Sequence, residues 1–499
     1  MKVAVIGVGY VGLVSAACFA EIGHDVIAVD NDPAKVESLR AGEIPIHEDL
    51  LPELVARYRG GRLNFSSNIE EATRESDVVF ICVGTPPSCT GDADLSYVEG
   101  VARELAVSLS GHKLVVEKST VPVGTCEAVR RTMQLYGASP DNISVASNPE
   151  FLREGTAVLD FLYPDRILLG VPDELSQRTL TKLYEPLLTG SYYKTPQALP
   201  HDKPELPKLI VTSVKSAELI KHASNAFLAL KISFINSVAI VCEKVGADVR
   251  EVAMGMGTDS RIGPRFLNPG IGYGGSCFPK DVLAFRSVAQ AAGYDFSLLT
   301  EVMAVNEDQK RRFVTKVRDA LWTLRGKRLA VLGLAFKGGT DDCRESPAIA
   351  LVKLLHAEGA TITAYDPAAM PRAQTLLSPG TVTYASDAYA ACAGADALLI
   401  LAEWPDFAEL DLARIRGLLN LPIVLDGKNL LDPIKVRKAG LHYHGVGCCP
   451  DSAKPALLTA SVAPAPSKGI RLELTPNAVP ERSPGSESRD QGLWIAKVG

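Results

Sequence analysis

Lys2-Val3-Ala4-Val5-Ile6-Gly7-Val8-Gly9-Tyr10-Val11-Gly12 is the stretch that decides the fold expected of this chain. Residues 2–6 are a short apolar run with the pattern of a buried strand, and a helical pattern follows from Leu13 to Ile22. A second strand pattern, residues 25–29, ends at Asp30, eighteen residues after Gly12. Strand, glycine fingerprint, helix, strand and acid in this order predict a dinucleotide-binding α/β unit.

The fingerprint residues have separate physical roles. The glycines let the backbone lie against a pyrophosphate, the helix N-terminus offers its amides, and Asp30 accepts hydrogen bonds from ribose hydroxyls. Because a carboxylate repels a 2′-phosphate, the sequence predicts NAD rather than NADP, a preference that Lys35 softens only slightly. The cofactor-binding residues predicted here are Gly7, Val8, Gly9, Tyr10, Val11, Gly12, Asp30 and Lys35.

Composition limits the classes of function. The 499 residues suffice for two to four domains, and 46% hydrophobic with 22% charged residues is ordinary for a globular protein. A net charge of −6 argues against nucleic acid or an anionic membrane as the main partner. The ten cysteines form no CxxC pair, so we expect no metal site. Most of them lie in apolar surroundings, which suits a reducing, cytoplasmic location. The apolar stretch 1–22 contains a glycine-rich turn and no cleavage signature, so we expect neither signal peptide nor membrane span.

Further strand patterns bring more polar residues to the same edge of the expected sheet. Strand 78–83 runs into Gly84-Thr85-Pro86, strand 114–117 runs into residues 118–122, and strands 144–146 and 166–170 follow. Functional residues gather where loops leave the carboxyl ends of parallel strands. Thr85, Thr120 and the stretch 148–155 are therefore expected beside the cofactor crevice, although Thr120 by itself is equally consistent with a strand-end turn.

Residues 213–246 carry a helical period without proline, after a Pro-rich surface loop at 195–208. A helix of this length exceeds the average and is expected to connect domains and to serve in a subunit contact. Lys221 and Asn225 lie four residues apart and share one face of it. The alternative interpretation is that both are solvated helix positions.

Gly272-Tyr273-Gly274-Gly275-Ser276-Cys277-Phe278-Pro279-Lys280-Asp281 is the stretch that suggests chemistry. A helix beginning near Cys277 would place Cys277 and Asp281 on one face, and its positive N-terminus would stabilise a thiolate. This combination predicts a nucleophile with an acid/base partner. The alternative is a small packing cysteine after a glycine-rich turn.

A second α/β unit begins at Lys327, with strands predicted at 328–332, 361–365, 397–402 and 422–426 and a helix over 346–358. It lacks a GxGxxG motif, so we expect it to hold a different phosphate-bearing molecule. The predicted fold is thus two doubly wound, Rossmann-like parallel-sheet domains joined by a long central helix. The predicted boundaries are 1–207 for the NAD-binding domain, 208–317 for the central helix and cysteine region, 318–448 for the second Rossmann-like domain and 449–499 for a disordered tail.

The motifs together resemble the UDP-glucose/GDP-mannose dehydrogenase family over residues 1–447. The resemblance is carried by Gly7–Gly12, Val83–Pro86, Ser119–Gly124, Asn148–Gly155, Lys221–Asn225, Arg261–Asp281 and Ala335–Arg344. It implies an NAD-dependent four-electron oxidation of the C6 hydroxyl of a nucleotide sugar, UDP-glucose to UDP-glucuronate, through a thiohemiacetal and thioester on Cys277. Phe278 resembles the UDP-glucose branch of the family, and GDP-mannose or another nucleotide sugar is the alternative substrate.

The resemblance also implies roles for individual residues. Cys277 would be the nucleophile, Lys221 and Asn225 would stabilise alkoxide charge, Asp281 or Glu150 would be the base for thioester hydrolysis, and Thr120 would position a water, with Glu154 between cofactor and sugar. The remaining cofactor contacts implied are Val83, Gly84, Thr85, Pro86, Ser119, Thr120, Glu154 and Arg344. The substrate contacts implied are Phe151, Leu152, Arg153, Glu154, Lys221, Asn225, Arg261, Asn268, Gly270, Gly272, Tyr273, Gly274, Phe336, Lys337 and Lys428.

Four of these residues carry qualifications. Arg261 of such an enzyme reaches the neighbouring subunit's substrate, which implies a homodimer or higher homo-oligomer. Lys428 follows Asp426-Gly427 where the family often has arginine, and a lysine lacks the bidentate fork. Phe336 and Lys337 have the simpler interpretations of a core aromatic and a surface charge.

Two functions outside the family remain as rivals. A two-electron hydroxy-acid dehydrogenase would share the first domain but would have no use for the Cys277 nucleophile. A non-catalytic NAD-binding regulator would use the thiol as a redox sensor and would show no turnover.

Overall fold

The computed structural model describes residues 1–88, 91–202 and 205–448. The predicted disordered tail, 449–499, and Cys89 lie outside these residues. The described chain forms two α/β sheets with a long helical segment between them in the sequence.

The first sheet has eight strands in the order β3-β2-β1-β4-β5-β6-β7-β8. Strands β1 to β6 are parallel, β7 pairs antiparallel with β6, and β8 pairs parallel with β7. The first turn after β1 therefore lies where the strand order reverses, the usual position of a nucleotide site. The strands are β1 Lys2–Ile6, β2 Asp25–Val29, β3 Leu63–Ser66, β4 Val78–Ile81, β5 Lys113–Glu117, β6 Ile143–Ser147, β7 Arg166–Gly170 and β8 Lys208–Thr212.

Nine helices and two short 3-10 turns surround this sheet within the described residues. Apolar cores fill both of its faces, one of them centred on Phe19, whose ring centroid lies 5.0 Å from that of Phe80 and 5.1 Å from that of Phe161. The helices are α1 Tyr10–Glu21, α2 Pro33–Ala41, α3 Leu51–Tyr58, α4 Ile69–Glu75, α5 Ser96–Ser108, α6 Thr125–Leu135, α7 Ala157–Leu162, α8 Glu174–Leu183 and α9 Glu185–Leu188, with 3-10 turns at Pro140–Asn142 and Tyr192–Lys194.

The central segment is built on α10, Val214–Val245, followed by α11 Val249–Gly257, α12 Phe278–Ala291 and α13 Ser297–Leu321. Ser213 caps α10 by accepting from the Ser216 amide, and Gly246 ends it in the left-handed conformation. Within the described ranges α10 is also the one helix long and apolar enough to cross a bilayer. Twelve of its residues, including Glu218, Lys221 and Asn225, are buried in the protein, which is typical of a core helix.

The second sheet has six strands, all parallel, in the order β11-β10-β9-β12-β13-β14. Its first turn, after β9, again lies where the strand order reverses. The strands are β9 Arg328–Leu332, β10 Thr361–Tyr365, β11 Val382–Tyr384, β12 Ala397–Ile400, β13 Ile423–Asp426 and β14 His442–Gly445, and the helices are α14 Pro347–Ala357, α15 Met370–Leu376, α16 Ala388–Cys392, α17 Pro405–Ala408, α18 Leu412–Leu418 and α19 Pro433–Lys438.

The predicted fold class is confirmed, with differences in detail. Strands β7 and β8 run opposite to the other strands of the first sheet, which hydrophobicity alone does not reveal. Strands β3, β8, β11 and β14 were not predicted, because they are three to five residues long and all four lie at sheet edges with exposed positions. The four domain boundaries stay predictions.

Candidate active site

The turn after β1 forms a tight backbone cradle. Gly7 has φ 95°, and a Cβ on it would lie 2.7 Å from the Cys82 carbonyl oxygen. A Cβ on Gly12 would lie 1.8 Å from the Gly7 carbonyl oxygen, so no side chain is tolerated at either position. Gly9, the N-cap of α1, has open space around its Cβ position, and no side chain caps the helix. The α1 amides are thus free to bind a pyrophosphate, and this geometry fits a dinucleotide.

Asp30 closes the cradle at the end of β2. Its Oδ2 accepts from the Val8 amide at 3.0 Å and from Lys35 Nζ at 2.9 Å. Burial would raise the pKa of Asp30, but the Lys35 ammonium and the amides of Val8 and Asp32 lower it below its ordinary value. The group is therefore a carboxylate, as the interaction with ribose hydroxyls requires.

Lys221 and Glu150 form a buried ion pair between α10 and the loop after β6. The Lys221 Nζ lies 2.7 Å from Glu150 Oε1, and the side chains are 5% and 3% exposed. Burial would lower the pKa of Lys221, but Glu150, Cys277 and Asp281 raise it above its ordinary value, so the group is an ammonium. The alternative interpretation of Lys221 as a solvated helix position is wrong.

Asn225 and Asp281 link α10 to α12. Asn225 Nδ2 donates to Asp281 Oδ2 at 2.6 Å, and Lys280 Nζ donates to Oδ1 at the same distance. Asn225 and Asp281 are buried, so the alternative of a solvated Asn225 is wrong as well. The carboxylate of Asp281 is fixed beside the first turn of the helix that Cys277 begins.

Cys277 is the N-cap of α12, which begins at Phe278 as predicted. The sequence predicted that the helix N-terminus would stabilise a thiolate, but burial of the sulfur acts in the opposite direction. Burial, with Glu150 and Asp281 nearby, raises the pKa of Cys277 to about 11, and Lys221 and Lys280 oppose this only partly. At neutral pH the sulfur is therefore a thiol.

Ser276 and Glu154 lie directly beside this thiol. Ser276 Oγ donates to Glu154 Oε1 at 2.8 Å and lies 3.5 Å from Cys277 Sγ. Burial and the nearby Asp342 carboxylate raise the pKa of Glu154 to about 7, although Ser276 and Arg344 lower it. Glu154 therefore exchanges a proton readily near neutral pH.

The second sheet's domain covers the cradle. Arg344 lies over the Tyr10 ring at 5.4 Å and pairs with Asp342 at 2.7 Å and Glu154 at 3.4 Å. The Tyr10 hydroxyl donates to Asp341 Oδ1. Arg344 thus lies next to Tyr10 of the glycine fingerprint, and its contact with the cofactor stays a prediction.

The loop that carries Cys277 lies directly against the second domain. A Cβ on Gly274 would lie 2.2 Å from the Glu345 carbonyl oxygen, and one on Gly275 would lie 2.8 Å from the Phe336 ring. Phe336 therefore packs on the Cys277 loop and is not simply a core aromatic. Lys337 is partly buried, and burial lowers its pKa although Glu154 and Glu403 oppose this.

The other predicted contacts divide into two groups. Phe151 has Arg166 over its ring at 3.8 Å and Lys221 at 5.4 Å, and the Leu152 amide donates to Glu150 Oε2 at 2.6 Å. In the second group the charged side chains have acidic partners: Arg153 pairs with Asp160 at 2.6 Å, and Lys428 Nζ pairs with Glu403 at 2.9 Å and lies 3.4 Å from the Phe336 carbonyl oxygen.

Two buried asparagine side chains, Asn236 and Asn306, hold the loop 268–274 in place. The Gly270 amide donates to Asn236 Oδ1 at 2.8 Å, and the Tyr273 amide donates to Asn306 Oδ1 at 2.8 Å. A Cβ on Gly272 would lie 2.7 Å from Asn306 Oδ1, which explains the glycine. Asn268 is exposed on this loop, and Arg261 is 87% exposed and pairs with Asp259 at 2.7 Å.

The strand-end residues of the first sheet lie along one edge, as expected from its topology. Thr85 Oγ1 donates to the Thr120 carbonyl oxygen at 2.9 Å, so the ends of β4 and β5 are tied together. The Ser119 amide donates to Glu117 Oε1 at 2.9 Å. Val83, Gly84, Pro86, Ser119 and Thr120 follow these strands at the edge that carries Gly7.

Sequence reasoning did not assign three residues that support the site. Glu48 is buried and accepts from the amides of Gly155 and Ala157, both at 2.6 Å. Lys118 donates to Asn148 Oδ1 at 3.1 Å, and burial lowers the pKa of Lys118 to about 8. Ser276 lies inside the glycine-rich motif, and its position next to Cys277 could have identified it from the sequence. Glu48 is remote in sequence from the motifs, and no sequence pattern pointed to it.

The site is identified by its side chains and not by a large cavity or a metal-binding cluster. A cavity of about 670 Å³ lies elsewhere, between α10, α13 and β14, with Glu243, Asp308, Lys316 and His444 in its walls. Among the described residues no group of three or more His, Cys, Asp or Glu side chains is arranged to hold a metal ion.

A nucleotide cradle that faces a thiol, an ammonium and several carboxylates defines a class: a dinucleotide-dependent dehydrogenase with a cysteine in its active site. The chain belongs to the UDP-glucose/GDP-mannose dehydrogenase family. The family's NAD binding domain matches residues 1–188, its central domain residues 215–308 and its UDP binding domain residues 330–433. NAD is accordingly the cofactor of the first domain.

Relatives match over most of their length. UDP-glucose 6-dehydrogenase of Rhizobium meliloti (strain 1021) is 47% identical, over 90% of this chain and 99% of the relative. UDP-glucose 6-dehydrogenase TuaD of Bacillus subtilis (strain 168) is 44% identical, over 89% of this chain and 93% of the relative. Among solved structures, a UDP-glucose dehydrogenase from Pyrobaculum islandicum superposes with a TM-score of 0.80 at 40% identity, covering 90% of this chain and 98% of that chain.

Proposed function

We propose that this chain oxidises the C6 hydroxyl of UDP-glucose to the carboxylate of UDP-glucuronate, with two NAD consumed per turnover. The observation that carries the proposal is the buried Lys221–Glu150 pair beside Cys277, at the edge of the NAD-binding sheet. The 47% and 44% identical relatives named for UDP-glucose support this substrate. NAD, when bound, accepts a hydride from the sugar carbon in each of the two oxidations.

The protein's own residues supply the remaining chemistry. The Lys221 ammonium stabilises negative charge on the C6 oxygen, and Asn225 donates a hydrogen bond next to it. Cys277 then adds to the aldehyde, which gives a thiohemiacetal that can release the second hydride and become a thioester. Water hydrolyses the thioester and restores the thiol.

The base for that hydrolysis is proposed to be Glu150 or Asp281. Glu150 accepts from Lys221 and the Leu152 amide, whereas Asp281 accepts from Asn225 and Lys280, so both carboxylates are similarly held. Mass spectrometry of the quenched enzyme separates them. The variant of the true base, Glu150→Gln or Asp281→Asn, accumulates the thioester on Cys277, and the other variant does not.

The assembled enzyme is proposed to be a homodimer in the cytoplasm. Phe227, Phe234 and Val241 recur every seven residues on α10 and are 61%, 49% and 56% exposed, a stripe suited to a second copy of the chain. None of the eight described cysteines forms a disulfide, which suits a reducing compartment. Sedimentation of the wild type and of Phe234→Glu tests the dimer.

The deciding experiment is incubation with UDP-glucose and NAD, with product mass and NADH measured together. Two NADH per UDP-glucuronate are expected, and GDP-mannose assayed in parallel is expected to be a poor substrate. One NADH per product would instead support a two-electron dehydrogenase. No turnover with any nucleotide sugar would support a regulator with a redox-sensing thiol.

A further inference from the structure

We propose that Ser276 relays the proton of the Cys277 thiol to Glu154, so that the sulfur becomes a thiolate only as it attacks the aldehyde. The proposal rests on the proposed function, because it concerns the activation of the same nucleophile. It names Ser276 as a relay residue and assigns Glu154 to activation of the thiol.

The relay is a continuous chain of contacts. Ser276 Oγ donates to Glu154 Oε1 at 2.8 Å and lies 3.5 Å from Cys277 Sγ. A hydroxyl can donate one hydrogen bond while it accepts another. Ser276 can therefore hold its own proton towards Glu154 and receive the thiol proton from Cys277.

Glu154 is built to accept that proton. Its Oε2 is buried, and no described residue donates a hydrogen bond to it. Burial and the fully buried carboxylate of Asp342 raise the pKa of Glu154 to about 7, although the Ser276 hydrogen bond and the Arg344 guanidinium at 3.4 Å lower it. A proton on Glu154 relieves the repulsion between these two carboxylates.

The other groups around the thiol are less suited to this role. Lys221 is already an ammonium, because Glu150 raises its pKa. Both oxygens of Glu150 accept from donors, Lys221 Nζ at 2.7 Å and the Leu152 amide at 2.6 Å. Both oxygens of Asp281 do likewise, and each contact is 2.6 Å long.

The step balances without a further reactant. The thiol proton moves to Ser276 Oγ as the serine's own proton moves to Glu154 Oε1. The sulfur electron pair forms the bond to the aldehyde carbon, and the electrons of the C=O double bond move onto oxygen. The oxyanion is stabilised by the Lys221 ammonium, and Glu154 is left as a neutral acid.

Alkylation of Cys277 by iodoacetamide tests the relay without sugar or cofactor. The rate is measured between pH 5.5 and 9.5 on the Cys277 peptide by mass spectrometry. In the wild type it is expected to rise through an inflection near pH 7 as Glu154 loses its proton. Ser276→Ala and Glu154→Gln are each expected to remove that inflection and to slow alkylation at pH 8 by about tenfold or more.

Matched variants separate the relay from a structural effect. Ser276→Thr keeps a hydroxyl and is expected to keep the inflection. Ser237→Ala removes a hydroxyl on α10 that donates to the Ser233 carbonyl oxygen, and it is expected to behave as wild type. Thermal melting establishes that each variant is folded, and Glu154→Gln carries the test if Ser276→Ala is not.

The outcomes are distinct. A neutral inflection that persists in Ser276→Ala or Glu154→Gln overturns the relay. A rate lowered equally at every pH with the inflection unchanged also overturns it, because this marks a merely structural role. A wild-type enzyme that produces no NADH from UDP-glucose refutes the proposed function and leaves the alkylation result intact.

Discussion

Lys221 Nζ and Glu150 Oε1 are 2.7 Å apart in a pair of side chains that are 5% and 3% exposed. Such a pair adds little to stability compared with apolar residues of the same volume, because both charges must be dehydrated. Removal of one partner strongly lowers the free energy of unfolding, since the other charge stays buried alone. The pair is therefore best explained by the proposed chemistry, in which the ammonium stabilises charge on the C6 oxygen.

Removal of the Lys221 charge alone is expected to destabilise the protein and to stop turnover. Lys221→Met should lower the free energy of unfolding by about 3–5 kcal/mol, because Glu150 is left unpaired. The double variant Lys221→Met/Glu150→Gln should regain most of that stability and none of the NADH production. Urea denaturation and NADH absorbance measure the two effects, and a single variant as stable as the wild type would contradict this account.

The fold was predictable from sequence wherever hydrophobic pattern and turn chemistry agreed. Strands β1, β2, β7, β9 and β10 have the predicted bounds because each is a short, mainly apolar or β-branched segment between clear breaks. Strand β8, Lys208–Thr212, was missed because its residues are largely exposed at the sheet edge. The reversed direction of β7 depends on how the chain packs after α7, which is information that no local window contains.

The site was predictable as a set of residues but less so as a set of protonation states. The motif around Cys277 and the spacing of Lys221 and Asn225 correctly brought these residues together. The pKa of Cys277 was misjudged because a helix N-terminus favours a thiolate, whereas burial near Glu150 opposes it more strongly. Burial is a property of the whole fold, so a single motif cannot supply it.

Asp30 is expected to set the choice between NAD and NADP. Asp30→Ser removes the carboxylate that would repel a 2′-phosphate and frees Lys35, now 2.9 Å from it, to pair with that phosphate. The ratio of kcat/KM for NADP to that for NAD should rise about tenfold or more, equivalent to about 1.4 kcal/mol. Asp25→Ser, at the exposed start of the same strand, is the control and should leave the ratio unchanged.

Gly274 is expected to keep the catalytic loop against the second domain. In Gly274→Ala the new Cβ would lie 2.2 Å from the Glu345 carbonyl oxygen, so the loop carrying Cys277 must shift. A displacement of about 1 Å at reacting groups can lower kcat/KM by about 100-fold. Gly255→Ala, in α11 with open space around its Cβ, is the control and should retain full activity. Equal activity of the two variants would contradict the contact.

Glu48 lies in the loop before α3 and connects that loop to the loop that carries Glu154. Its two oxygens accept from the amides of Gly155 and Ala157, both at 2.6 Å, and the side chain is buried. Burial raises the pKa of Glu48 from 4.5 to about 7, although these amides and the Lys337 charge lower it. The folded protein therefore holds a proton on Glu48 that the unfolded chain releases at lower pH.

The sign of the resulting pH dependence follows from that difference. Between pH 4.5 and about 7 the unfolded state binds fewer protons at Glu48, so the free energy of unfolding falls as pH rises, by at most about 1.4 kcal/mol per pH unit. Glu48→Gln lacks this contribution, so the wild type should lose stability relative to the variant across the same window. Thermal melts at pH 5 and 8 measure the change, with exposed Glu53→Gln as the control. A wild type that gains stability relative to Glu48→Gln as pH rises would show that the two amide contacts outweigh burial of the charge.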